Sequence, residues 1–167
     1  MIKILISLIM LIESGRSTDI RVENHLLLQS CPTEVVQKLY KAEGWRNHYT
    51  QIGGEFVFSH LSQDIEYRAL AQAEFYCGDV AYQSTSFGSV QILGQHYELL
   101  GYTSAKELHQ AILTDEETVI ERFIHLQPGL EQAFLSCDVY TISQFWNPLN
   151  PDFYNKLYTL SRQYCSN

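Results

Sequence analysis

The pattern of apolar and polar positions opens with an almost uniformly apolar run, Ile2 to Ile12, which ends at Glu13 and is soon followed by Gly15. A helix that is apolar on every side belongs in a protein core, and a glycine suits the left-handed position that ends such a helix. A carboxyl group at the inner end of a buried helix is partly desolvated, which raises its pKa. The run therefore predicts a buried first helix carrying Glu13 as a usable general acid near neutral pH.

Two other interpretations of the same run stay open at this point. A secretory signal peptide would use Lys3 and the apolar stretch Ile4 to Ile12, but no Ala-x-Ala site follows and Glu-Ser-Gly-Arg is a poor cleavage sequence. A membrane span would need about 20 apolar residues, more than this run provides. We favour the buried helix.

After Gly15 the pattern becomes turn-like and then alternates over Ile20 to Val22, which predicts a small β hairpin near residues 16–25. Glu23 and His25 come directly after this strand. A second carboxylate thus lies ten residues after Glu13, across a short turn that could bring the two together. Taken singly, Glu23 and His25 are more typical of surface residues; their position beyond the Glu13 turn makes them candidates.

Helical signals dominate the remainder of the chain, and residues 45–58 read as a loop or a weak hairpin. Two short helices are predicted at about 130–137 and 141–146. The other predicted helices begin at capping or first-turn residues: Pro32, Ser62, Asp79, Ser104, Asp115 and Pro151. The pattern predicts one mainly α (α+β) domain over residues 1–167 with a small β hairpin.

The segment from Ser84 to Gly94 interrupts the helical pattern with small residues around Gly88. Small residues allow the backbone to approach another element or a ligand closely. Gln91 has apolar neighbours, so its amide would be buried or in a cleft and would need hydrogen-bond partners. The amide either contacts a ligand or bridges two helices.

Composition narrows the classes of function. Of the 167 residues, 46% are hydrophobic and 18% charged, which indicates a globular chain. The net charge of −8, without a Lys/Arg cluster, argues against a nucleic-acid partner. The four cysteines lack zinc-site spacing, and we expect no metal and no cofactor. They could form two disulfides in any of three connectivities; we take buried thiols as the default.

Four segments, in order, carry a resemblance to a known family. They are Ile12-Glu13-Ser14, Val22-Glu23-Asn24-His25, Ser86-Phe87-Gly88-Ser89-Val90-Gln91-Ile92-Leu93-Gly94, and Phe145-Trp146-Asn147-Pro148. Together, with Tyr154 in the final helix, they resemble the N-acetylmuramidase family of phage endolysins and bacterial cell-wall effectors, within the lysozyme-like superfamily. Each segment is weak alone, but their order makes the resemblance specific.

The resemblance implies a lysozyme-like fold and hydrolysis of the β-1,4 bond between N-acetylmuramic acid and N-acetylglucosamine. Glu13 would be the general acid and Glu23 the second carboxylate. The implied substrate-binding residues are His25, Gly88, Gln91, Trp146 and Tyr154. Among these, His25 would orient Glu23, whereas Trp146 and Tyr154 would either face sugar rings or pack in the core.

The resemblance further implies that the partner is the glycan strand of peptidoglycan and that the protein is a monomer, with an immunity or delivery partner in the effector setting. It would act on the cell wall, in the periplasm or outside the cell, with its first helix retained and no cleaved signal peptide. Two other functions stay open. One is a lytic transglycosylase using the same acid. The other is a degenerate domain that binds glycan or protein, which the short turn after Glu13 would favour.

Overall fold

The computed structural model describes residues 2–13, 18–39, 49–52, 55–58, 62–147 and 150–165. Over these residues the chain is mostly helical, with a three-stranded antiparallel sheet and a separate two-stranded hairpin. The expectation of a mainly α, α+β fold is confirmed.

The helices of the described ranges follow one another with short connections. They are α1 (Ile2–Glu13), α2 (Asn24–Ser30), α3 (Thr33–Leu39), α4 (Gln63–Cys77), α5 (Val80–Gln83), α6 (Ala105–Leu126), α7 (Leu130–Ser136), α8 (Val139–Trp146) and α9 (Pro151–Ser161). A 3-10 turn, Gly94–Tyr97, precedes α6. The sequence did not predict α2, and its prediction for residues 40–44 of the Pro32 helix lies outside the described residues.

The three-stranded sheet joins distant parts of the chain. Strand β1 (Ile20–Val22) pairs antiparallel with β4 (Thr85–Phe87), which pairs with β5 (Ile92–Leu93). The hairpin predicted near residues 16–25 is therefore wrong in its pairing, although its strand is present. Apolar alternation identifies a strand but not its partner, and here the partner is the segment of small residues around Gly88. The weak hairpin predicted within 45–58 is confirmed as β2 (Tyr49–Ile52) and β3 (Glu55–Phe58).

Helix α1 packs one side into the core and leaves the other partly open. Its buried residues are Leu5, Ile6, Leu8 and Ile9. It packs against α7 and α9, while Ile4 and Leu11 are exposed. None of the helices in the described part of the chain is long and apolar enough to cross a membrane.

Helix α6 is kinked at Asp115, whose backbone is non-helical (φ −153°, ψ 75°). The Asp115 carboxylate accepts hydrogen bonds from the backbone N–H of Thr118 at 3.3 Å and from its hydroxyl at 2.7 Å. The residue thus caps the second half of the helix, as the sequence predicted. The two predicted helices are confirmed, one on each side of this kink.

Asp79 directly precedes α5, as predicted, but the expected capping bond from its side chain is absent. Instead its carboxylate accepts from the backbone N–H groups of Ala105 and Lys106, each at 3.3 Å. These donors begin α6 and have no partner within their own helix, so Asp79 links α5 to α6.

The cysteines form two disulfides, Cys31–Cys77 and Cys137–Cys165. The default expectation of buried thiols is therefore wrong, and the structure selects one of the three connectivities. The first bridge joins the residue after α2 to the end of α4. The second joins the end of α7 to the chain beyond α9.

Candidate active site

A cleft of about 480 Å³ opens where the three-stranded sheet meets the end of α8. Glu23, His25 and Ser86 line one part of it, and Gln91, Phe145 and Trp146 line another. Four of the residues singled out from the sequence thus meet in one cavity. Cavities of roughly 300–1,000 Å³ with a few convergent polar groups are typical of small-molecule and substrate sites.

Glu23 is held on the cleft wall by its neighbours in the sheet. It precedes α2, and its backbone N–H donates to the carbonyl of Ser84 at 2.8 Å. The hydroxyl of Ser86 donates to Oε1 of Glu23 at 3.1 Å. His25 is more exposed, with Nδ1 at 4.0 Å from Oε2 of Glu23. The carboxylate therefore has a fixed orientation, with its second oxygen directed toward His25.

Gln91 lies on the cleft wall and has one buried side-chain acceptor without a partner among the described residues. Its backbone lies in the left-handed region (φ 57°), which is uncommon for a residue other than glycine. Its Nε2 donates to the carbonyl of Gly88 at 2.7 Å, whereas its buried Oε1 has no hydrogen-bond partner among the described residues. A buried polar atom without a partner is costly, so a small turn of the Gln91 side chain that brought Oε1 to a donor in the cleft would be favourable. The described hydrogen bond of this amide stays within the Gly88–Gln91 segment. It does not form the alternative that the sequence left open, a bridge between two helices.

Gly88 lies behind the cleft wall, outside the set of lining residues. Its φ of +79° favours glycine, and a Cβ at this position would collide with the carboxylate of Glu116 and reach 3.0 Å from Ile112. Glu116 also accepts from the backbone N–H and the hydroxyl of Ser89. The sheet end is thereby fixed against α6, and Gly88 contributes its carbonyl to hold Gln91.

Trp146 combines packing and cleft lining. Its indole N–H donates to the carbonyl of Val90 at 2.9 Å. Its ring meets Phe123 edge-on at 5.9 Å between centroids and contacts Phe134 at 6.3 Å. The ring is half-buried, so it braces the sheet and still exposes part of its surface to the cleft.

Tyr154 is not brought to this cleft. It lies on α9 in a second pocket, stacked on Tyr158 at 5.9 Å between centroids and edge-on to Tyr140 at 6.0 Å. Of the predicted substrate-binding residues, it is the one that the structure separates from the others.

Glu13 ends α1 and is half-buried, outside the residues that line the cleft. Burial raises the pKa of its carboxyl group, and three groups oppose that rise: the charge of Arg21, a hydrogen bond with Asn147, and the charge of Lys156. Arg21 precedes Glu23 by two residues, and Asn147 follows Trp146 directly. Two of the residues that act on Glu13 are therefore close in sequence to residues that line the cleft.

Sequence reasoning missed His96 and Phe123, which also line the cleft. The His96 ring packs edge-on against Phe123 at 5.1 Å, and burial lowers the pKa of its imidazole. Phe123 occupies an apolar position of α6 that was read only as core. The available signal was the closeness of His96 to Gly94, the end of the glycine-bounded segment.

A comparison with protein-family models matches residues 10–161 to the N-acetylmuramidase family. The chain belongs to this family. The match covers the end of α1, the cleft and α9, so the resemblance seen in four short segments extends over nearly the whole chain. A search of curated proteins finds no match. As an N-acetylmuramidase the protein is a glycoside hydrolase of the lysozyme type that acts on peptidoglycan in the cell wall.

Proposed function

We propose that Glu13 is the general acid of this muramidase and that it cleaves the β-1,4 bond between N-acetylmuramic acid and N-acetylglucosamine. The observation that carries the proposal is the half-buried carboxyl at the end of an apolar helix, with its pKa raised by burial. A raised pKa keeps a larger fraction of the carboxyl protonated near neutral pH, as a proton donor requires. The family match over residues 10–161 supports the substrate class.

In this mechanism the proton of Glu13 passes to the glycosidic oxygen while the bond to the sugar carbon breaks. The leaving sugar departs as an alcohol, and positive charge develops on the remaining ring. The Glu23 carboxylate, oriented by the Ser86 hydroxyl, either stabilises that charge or activates the incoming water. The separation of the two carboxyl groups in the complex would distinguish these roles: roughly 5–5.5 Å for retention and about 6.5–9.5 Å for inversion.

The proposed substrate contacts follow from the cleft lining. Both sugars carry N-acetyl groups, whose amide N–H can donate to the unpartnered Oε1 of Gln91. Phe145 and Trp146 offer apolar ring surface beside it. Gly88 acts indirectly, since its carbonyl fixes the Gln91 side chain. His25 is 4.0 Å from Glu23 and would help to orient it.

We further propose that the protein works in the periplasm or outside the cell as a monomer of one domain. Its substrate lies there, and the two disulfides support an oxidising compartment.

The decisive experiment compares the wild type with Glu13→Gln on purified peptidoglycan, after circular dichroism has shown that both are folded. We expect the variant to lose about 10²–10⁴-fold in turnover, the contribution typical of a general acid. Glu34→Gln, which changes an exposed glutamate on α3, is the matched control and should clear the substrate like the wild type.

Equal clearing by the wild type and Glu13→Gln would refute the assignment of Glu13. If neither folded protein clears peptidoglycan, the degenerate binding domain becomes the better description. Reducing-end analysis of the products then separates hydrolysis from attack by the muramic 6-hydroxyl group, which yields no new reducing end.

A further inference from the structure

A second aromatic site lies away from the cleft, between α8 and α9. We define the tyrosine pocket as the cavity of about 340 Å³ lined by Tyr140, Tyr154 and Tyr158 together with Asp138 and Arg162. Tyr140 and Tyr158 are 62% and 50% exposed, and each contacts the ring of Tyr154. Two exposed tyrosine rings packed on a half-buried third offer apolar ring surface at one place, which suits a ligand with flat apolar faces.

We propose that the tyrosine pocket is an auxiliary binding site for the glycan strand of peptidoglycan. The sugar rings of that strand have faces made of C–H groups, which pack on the electron-rich faces of aromatic rings. The proposal rests on the proposed function only for the choice of polymer.

The pocket has a rigid frame. The Cys137–Cys165 disulfide forms one of its sides. The Asp138 carboxylate accepts from the backbone N–H of Thr141 at 3.0 Å and from its hydroxyl at 2.6 Å, which fixes the start of α8 beside Tyr140. A site whose walls are held in advance loses little conformational freedom when it binds.

The charge of the protein makes short-range contacts necessary. With a net charge of −8 the chain gains no general electrostatic attraction to a wall polymer that itself carries carboxylates. Holding an insoluble substrate must then depend on local contacts, such as stacking on the exposed tyrosine rings.

The pocket and the cleft are connected by α8. Tyr140 lies near its start and Trp146 at its end, six residues apart, or about 9 Å along the helix axis. At about 100° per residue the two side chains leave the helix in different directions. The tyrosine pocket is therefore a separate site, and a polymer could contact both sites where a short fragment contacts one.

The test is co-sedimentation of the protein with purified peptidoglycan sacculi in the cold, for Tyr140→Ala, Tyr158→Ala and the pair. Each single variant should bind about two- to ten-fold more weakly, which corresponds to about 0.4–1.4 kcal/mol for each ring. Tyr158→Phe keeps the stacking face and should bind nearly as the wild type does. Phe75→Ala removes an 80% exposed ring on α4 and is the matched control.

A second measurement compares turnover of sacculi with turnover of short soluble glycan fragments. The ratio should fall in the tyrosine variants and stay constant in Phe75→Ala. Wild-type binding by the double variant overturns the inference, and so does a loss in Tyr158→Phe as large as that in Tyr158→Ala. Absence of any turnover, with binding still dependent on the tyrosines, refutes the proposed function and supports the auxiliary site.

Discussion

Three groups around Glu13 favour the charged form of its carboxyl group, and burial opposes them. Burial raises the pKa of the carboxyl group, whereas the Arg21 charge, the Asn147 hydrogen bond and the Lys156 charge lower it. Since burial is the largest of the four influences, the net result is a raised pKa. The surroundings of this one side chain thus set the pKa of the proposed proton donor.

The first prediction concerns the pH dependence of turnover. Arg21→Gln removes the largest opposing influence, so the pKa of Glu13 should rise further. A general acid works while protonated, so the alkaline limb of kcat/KM should move to higher pH. Arg21→Lys keeps the charge and should leave the limb nearer its wild-type position. A limb that stays fixed or moves to lower pH in Arg21→Gln would contradict the assignment of Glu13.

The second prediction concerns stability. A folded-state pKa above the ordinary glutamate value of 4.5 means that the folded protein binds more protons than the unfolded chain in the window just above that value. The free energy of unfolding therefore falls as pH rises through that window. Glutamine does not titrate, so Glu13→Gln should become more stable relative to the wild type as pH increases. Paired thermal melts from pH 4 to 8 measure this.

Asp138→Asn supplies a control of opposite sign for these melts. Hydrogen bonds from Thr141 lower the pKa of Asp138 below its ordinary value of 3.8. Its contribution to stability is present above pH 3.8 and is lost as the pH falls through the lowered pKa. Asp138→Asn should lose stability relative to the wild type as pH rises out of the acid range. Parallel trends in the two variants would refute the proposed behaviour of Glu13.

At the scale of elements, the β4–β5 end of the sheet decides the shape of the cleft. On one side, Glu116 of α6 accepts hydrogen bonds from the backbone N–H and the hydroxyl of Ser89. On the other side, the indole N–H of Trp146 donates to the carbonyl of Val90. Gly88 fits between these supports because it lacks a side chain.

A comparison of Gly88→Ala with Gly129→Ala separates the cost of backbone strain from the cost of a Cβ colliding with Glu116. Both glycines have φ near +80°, but a Cβ at Gly129 meets nothing within 4 Å, whereas at Gly88 it collides with Glu116. Gly129→Ala should cost about 1–2 kcal/mol, the left-handed penalty alone. Gly88→Ala should cost more and also reduce turnover of peptidoglycan. Urea unfolding and a clearing assay test this, and equal costs with unchanged turnover would contradict it.

At the scale of the whole molecule, two disulfides join elements that are far apart in sequence. The bridges span 46 residues for Cys31–Cys77 and 28 residues for Cys137–Cys165. Neither has a cysteine on the cleft wall. The bridges therefore stabilise the assembly of helices without forming part of the proposed chemistry.

Replacing either cysteine pair with alanine should lower the free energy of unfolding by about 4 kcal/mol, since the closed loops restrict the unfolded chain to a similar extent. Urea titration of both variants measures the loss, with the oxidised and the reduced wild type as references. Variants that remain folded should retain turnover of short fragments. A bridge whose removal changes stability by less than about 1 kcal/mol would contradict the prediction for that bridge.

Several helix boundaries, the partly buried carboxyl group of Glu13 and the family resemblance could be predicted from the sequence alone. Helix boundaries follow from local signals, because these signals act within a few residues. Here they are the apolar run ending at Glu13, the caps at Ser62 and Asp115, and Pro151 in a first turn. The same run indicated a desolvated carboxyl, and the order of four short segments indicated the family.

The tertiary structure decided what depends on contacts between distant residues. It paired β1 with β4, directed the Asp79 carboxylate to α6, joined the cysteines, and added His96 and Phe123 to the cleft. It also separated Tyr154 from that cleft and placed it among other tyrosines. Local patterns cannot supply these results, because a strand, a carboxylate or a thiol has several compatible partners and only the packed chain selects among them.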